Sequence, residues 1–128
     1  MQINSHLWQA YSSVRFDFKA VINAECYAVI TAWNPGSERL SHNENCLNNH
    51  RLQLKLNDYD WVSVVVGDPD FQWFEESFAV AMPLEAALDL ALTFKQNAIY
   101  FVRNGALYLY SCVDSHVVQL GSLEEKLK

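Results

Sequence analysis

The chain is short of the residues that several common functions need. Nine basic residues face fifteen acidic ones, for a formal charge of -6. The basic residues are scattered singly, and Arg51 and Lys55, one helical turn apart, come nearest to a cluster. Nucleic-acid backbones are bound largely through counterion release to grouped Lys and Arg, so this pattern weighs against DNA or RNA as a partner. Cysteine is scarce and odd in number: Cys26, Cys46 and Cys112 lie far apart in a chain large enough not to need cross-links. No disulfide framework is expected, and a reducing cytoplasm fits best. No apolar run approaches the roughly 20 residues of a membrane span, and residues 1–10 have neither the basic start nor the apolar core of a secretory signal. The expectation is a soluble, cytoplasmic protein with no membrane partner. Absent too are GxxxxGK and GxGxxG loops, a G-x-S-x-G elbow and a CxxC pair. Nucleotide hydrolysis, dinucleotide redox chemistry and serine hydrolysis therefore lack their usual motifs, and no cofactor is expected.

What is present suits one domain spanning residues 1–128. Hydrophobic residues make up 51% of the chain and aromatic ones 13%, enough to bury a single continuous core. Leu7, Trp8 and Tyr11 fall at helical spacing behind a cap at Asn4 or Ser5. Val14, Phe16 and Phe18 alternate with polar residues, as in a strand with one wet face. Residues 26–33 form a nearly unbroken apolar run, the mark of a central strand covered on both faces, and Asn34-Pro35-Gly36 ends it. Ser41-His42-Asn43-Glu44 has the form of a capping box and predicts a helix over 42–56. Leu52, Leu54 and Leu56 also alternate as in a strand, which would stop that helix near His50. Residues 61–66 and 73–82 read as a paired hairpin. Pro83, at a first helical position, opens a helix to about Lys95. Asn104-Gly105 is the preferred centre of a tight turn between strands 98–102 and 106–112. A short strand near 116–120 is weighed, and 122–128 reads as a flexible tail. The order predicts an α+β fold: a mostly antiparallel sheet of about five to six strands, with two main helices and a short N-terminal helix packed on it.

Chemistry is expected where the apolar run stops. Thr31, Asn34, Ser37, Ser41, Asn45 and Asn48 gather there, and the free amides of the following helix would face the same crevice, as in sites for small anions or polar metabolites. On the fourth strand, alternation puts Glu76 on one face with Phe74, Phe78, Val80 and Met82. A carboxylate buried there has a raised pKa and serves as a general acid or base, or anchors a ligand donor. The alternative is a bulge that turns Glu76 or its neighbour Glu75 to water. His42, Cys46 and His50 form H-x3-C-x3-H, three candidate zinc ligands along one helical side, although a fourth ligand is wanting. Cys46 with His50 also suggests an activated thiolate, which nothing else completes. Gln96-Asn97 suits a helix C-cap, and Tyr108 and Tyr110 share one face of the last hairpin, available as an interaction surface or dimer contact.

Four short motifs stand in a particular order: Ile30-Thr31-Ala32-Trp33-Asn34-Pro35; Ser41 with Glu44-Asn45; Trp73-Phe74-Glu75-Glu76-Ser77-Phe78; and Phe94-Lys95-Gln96-Asn97-Ala98-Ile99. Together they resemble a family of small bacterial proteins, the domain of unknown function 3293, over about residues 8–109. Lys95 stands where the resemblance calls for glycine, which implies a different helix ending. The resemblance carries no reaction or substrate, but it points to Thr31, Asn34, Ser41, Asn45, Glu75, Glu76 and Gln96. The leading expectation is a small polar ligand bound between the 31–45 segment and the 75–77 strand by Thr31, Asn34, Ser41, Asn45, Glu76 and Gln96. The rivals are an interaction or regulatory module, acting through its acidic surface as a homodimer or with another partner, and a small hydrolase or transferase using Glu75 or Glu76.

Overall fold

The computed structural model describes residues 4–128, so the first three residues of the expected domain lie outside it. Asn4 caps the first helix, α1 (Ser5–Ser12), its side chain accepting the His6 amide at 2.8 Å. The strands are β1 (Arg15–Phe18), β2 (Cys26–Ile30), β3 (Trp61–Gly67), β4 (Phe74–Val80), β5 (Ala98–Arg103), β6 (Ala106–Ser111) and β7 (Val117–Ser122). Helices α2 (His42–Gln53) and α3 (Leu84–Thr93) follow β2 and β4. All seven strands join one antiparallel sheet in the order β1-β3-β4-β2-β5-β6-β7. The apolar β2 lies at its centre, between β4 and β5.

The sheet exceeds the expected five to six strands because β7 is a full member. Its half-buried alternation is a weak local signal, and it gains its place by pairing with β6 across a register shift. Segment 122–128, read from sequence as a flexible tail, is placed against the sheet. Ser122 caps a 3-10 turn over Leu123–Lys126, Leu127 bridges Phe16, and the Lys128 amide donates to the Phe16 carbonyl at 2.9 Å. β1 and β7 are opposite edges, so the sheet curls on itself to bring about this contact, which covers an edge that would otherwise be bare.

Curling gives the sheet an inner and an outer face. The inner one packs Phe16, Val29, Val66, Tyr100, Val102 and Leu109 together, with Trp8 and Tyr11 of α1 against them. The outer one packs Ile30, Phe78, Val80 and Phe101 beneath Leu52 and Leu56 of the α2 region and Ala87 and Ala91 of α3. Leu52 and Leu56 are fully buried while Leu54 is 57% exposed, which decides against the strand reading of that stretch. Pro83 serves as N-cap of α3 rather than its first helical residue, its carbonyl accepting the Ala87 amide at 3.0 Å. In the β5–β6 turn, Asn104 and Gly105 both take positive φ, as a tight hairpin requires.

Helix α3 ends in the paired hydrogen bonds of a Schellman motif: Gln96 N to Ala91 O at 2.9 Å and Lys95 N to Leu92 O at 3.0 Å. Lys95 holds the left-handed position at φ 58°, where a Cβ is unfavourable and glycine is usual. Lys95→Gly is therefore expected to stabilise the protein by about 1 kcal/mol, read as a higher urea midpoint at constant m-value.

Candidate functional site

Where β2 stops, side-chain amides take over its hydrogen bonding. Asn49 of α2 accepts the Ala32 amide at 2.8 Å and donates to the Glu76 carbonyl of β4 at 2.7 Å, filling the place of a peptide group between the two strands. Thr31 Oγ1 donates to the same carbonyl at 2.7 Å and accepts the Trp33 amide at 3.1 Å. One turn earlier on α2, Asn45 accepts the Asn34 amide at 2.9 Å and donates to Asn34 Oδ1 at 3.0 Å. Residues four apart share a helix face, and here both are buried, Asn45 at 2% and Asn49 at 8% exposure. The capping box forms as its sequence predicts, Ser41 and Glu44 exchanging hydrogen bonds at the start of α2.

These contacts hold Asn34 at φ 47°, although a residue before proline is normally extended. Asparagine tolerates this region better than most residues, and Asn34 is bonded at every polar group that faces the loop. Its Oδ1 also accepts the Leu40 amide at 2.9 Å, and its Nδ2 donates to Glu75 Oε2 at 2.9 Å. The rest of the loop is tied to other elements. Gly36 N donates to Lys95 O at 2.7 Å and Gln96 Nε2 donates to Trp33 O at 3.0 Å. Ser37 Oγ receives Asn97 Nδ2 at 2.6 Å and meets the Tyr11 hydroxyl of α1 at 2.7 Å.

The loop, α1 and the start of β4 enclose a cavity of about 530 Å³. Glu75 is the acidic residue of its wall, and burial pushes that carboxyl up to about 7 against the opposing effect of the Asn34 hydrogen bond. Trp33, also in the wall, is 6% exposed and its indole N–H has no partner. Trp73 and Phe74, 38% and 43% exposed, complete an aromatic part of the wall, with the Phe74 ring 5.9 Å from that of Trp33. The tight β3–β4 connection places them there. A Cβ at Gly67 would lie 2.6 Å from the Trp73 carbonyl, so the close approach requires glycine.

Of the residues singled out from sequence, Thr31, Asn34, Asn45, Glu75 and Gln96 line this cavity. Ser41 does not and acts as a helix cap. Glu76 does not either: it keeps the predicted register, opposite Val65 with no bulge, yet it is exposed. Its face is the outer one, but it lies beyond the apolar part that the helices cover, in a shallow groove with Lys19, Cys46 and His50. The better covered carboxylate is its neighbour Glu75, half-buried, which points with Ser77 and Ala79 to the inner face. The three-ligand zinc pattern does not assemble. His42 and Cys46 touch at 3.3 Å, but His50 joins no such group, and among the described residues no three His, Cys, Asp or Glu side chains are placed to hold a metal. Tyr108 and Tyr110 are not a bare aromatic face, because the Arg103 guanidinium lies 5.3 and 5.8 Å from their ring centres and Arg103 Nη1 donates to Tyr110 Oη. Sequence reasoning missed Tyr11 and Arg39 as wall residues. No local signal links α1 to a loop more than twenty residues away.

Two outcomes follow from this geometry. Asn49→Ala strands the Ala32 amide in a buried setting and is expected to cost on the order of 2–3 kcal/mol in a denaturant titration, whatever it does to binding. The raised Glu75 pKa means that the folded state holds a proton which the unfolded chain gives up from about pH 4.5, so this group's contribution to stability falls as pH rises from about 4.5 to about 7 and is level above that. Glu75→Gln keeps an acceptor for Asn34 and removes that decline. The difference between the two proteins' stability curves should change by on the order of 2 kcal/mol across the window, after allowance for partial solvent screening.

No curated protein and no solved structure matches the chain. A family model described as "Protein of unknown function (DUF3293)" matches residues 30–99. That span runs from the end of β2 to the start of β5 and holds the asparagine-tied loop, α2, the β3–β4 hairpin with Glu75, and the Lys95-Gln96 helix ending. The match covers more than half of the sequence, and the chain belongs to the DUF3293 family of proteins of unknown function.

Proposed function

We propose that this is a cytoplasmic protein that binds a small polar ligand in the cavity between the 31–45 segment and the start of β4, with Glu75 in the anchoring role first given to Glu76. The observation that carries the reading is a half-buried carboxyl whose hydrogen-bond donor among the described residues is the neutral Asn34 amide, in the wall of a 530 Å³ cavity also lined by the rings of Trp33, Trp73 and Phe74. Buried polar groups are normally satisfied from within, and leaving them open is a cost that bound ligand removes. Thr31, Asn45 and Asn49 hold the loop in place, Asn34 orients Glu75, and Glu75 with the aromatic wall faces the ligand. The three free cysteines among the described residues agree with a reducing compartment.

A second reading, a hydrolase or transferase with Glu75 as general acid or base, is favoured by that carboxyl's titration near 7, where such groups work best. The homodimer or interaction reading has less support, because its tyrosine face is occupied by Arg103.

Native mass spectrometry of the purified protein, followed by a thermal-shift screen of polar metabolites, tests the proposal. A discrete adduct lost on denaturation, or compounds that raise Tm by several degrees near 100 times Kd in the wild type but not in Glu75→Gln, is the expected result. Bare protein with no responding compound, or equal shifts in Glu75→Gln, overturns it. Turnover lost in Glu75→Gln with binding retained would instead establish the second reading.

A further inference from the structure

The composition of the cavity wall narrows the class of ligand, on the reading just given. Glu75 is the acidic side chain among the lining residues, and among the described residues nothing cationic pairs with it. Arg39 lines the same cavity but is exposed, and the ion pair found among the described residues is Lys19–Asp17, on the far edge strand. A carboxylate offers about four acceptor sites, yet Asn34 Nδ2 is the donor that Glu75 receives, at 2.9 Å. A desolvated carboxylate with so few partners favours a positive charge over a neutral group and opposes an anion. The rings of Trp33, Trp73 and Phe74 in the wall add π faces, which attract cations by their quadrupole.

We infer that the cavity takes a small compound carrying a cationic nitrogen, an amine or guanidinium, the nitrogen pairing with the Glu75 carboxylate and its carbon frame lying against the aromatic wall. Binding is then linked to proton release. With the cavity empty, Glu75 is partly protonated near pH 7. Seating the cation favours the carboxylate, and the displaced proton passes to the buffer. The other ionisable groups of the wall are Tyr11 from α1, Tyr100 from β5, Arg39 from the loop and His42 from α2, so the release must be assigned by variant.

Isothermal titration at pH 7 in two buffers of different ionisation enthalpy, phosphate and Tris, reads affinity and proton count together. The probes are two matched pairs: 2-hydroxyethylguanidine with its uncharged counterpart 2-hydroxyethylurea, and ethanolamine with ethylene glycol. The expected result is that the cation of at least one pair binds tenfold or more tighter than its neutral counterpart and releases a proton, and that Glu75→Gln, checked for fold by circular dichroism, loses both effects. The buffer dependence in the wild type stands as a readout even if that variant does not fold. Equal or tighter binding of the neutral members, cation binding without proton release, or a preference that survives in Glu75→Gln overturns the inference. So does failure of all four probes to bind. If neutral or anionic compounds from the metabolite screen bind in that case, the ligand-cavity reading stands and only the cationic assignment falls. If nothing binds in either experiment, both fall.

Discussion

The structure around the cavity depends on two asparagines of α2 that act as pieces of backbone. Asn45 and Asn49 sit one turn apart and meet the amides of Asn34 and Ala32, which β2 leaves without strand partners once it stops at Ile30. A buried orphan amide costs more than a satisfied hydrogen bond returns, so the chain can leave the sheet at this point only while a side chain closes the account. The helix that supplies those side chains gives up apolar contact in exchange. Within α2 itself the buried residues are the two asparagines and Leu52.

With α2 docked through amides, the loop between it and β2 can be strained and still be held. Asn34, Gly36 and Ser37 all take positive φ, as do Phe71 in the neighbouring hairpin loop and Lys95 at the helix end beneath the loop. Lys95 contributes its carbonyl to Gly36, Gln96 its amide to Trp33 and Asn97 its amide to Ser37. Three consecutive residues after α3 therefore brace the strained segment. Strain of this kind persists where surrounding contacts over-determine it, and it gathers at binding sites. The same region holds the half-buried carboxyl of Glu75 and the indole of Trp33, unpartnered among the described residues, neither of which stability alone would select.

The fold was legible wherever local chemistry was unambiguous. The capping box of α2, the Asn104-Gly105 turn and the apolar central strand all form where their residues predict them, because each is decided within a few residues. The seventh strand and the C-terminal segment were less legible. Val117–Ser122 has a half-buried alternation that means little alone, and Leu127 finds Phe16 only because the sheet curls. The site was legible in part for the same reason. Breaks in pattern marked Asn34 and Asn45, but the choice between Glu75 and Glu76 turned on more than period. Alternation told correctly that the two face opposite sides and that Phe78 and Val80 are covered on the face of Glu76, but not how far along the strand that cover reaches.

The sequence by itself determined the α+β class, most element positions, the break after β2 and the polar character of the residues beside it, since propensity, capping and period act over short distances. Tertiary structure alone decided which carboxylate enters the cavity wall and how α1 and the end of α3 complete that wall. Those outcomes depend on how far each helix reaches across the sheet and on how strongly the sheet curls. Both are set by contacts among residues distant in the chain, and no local pattern encodes them.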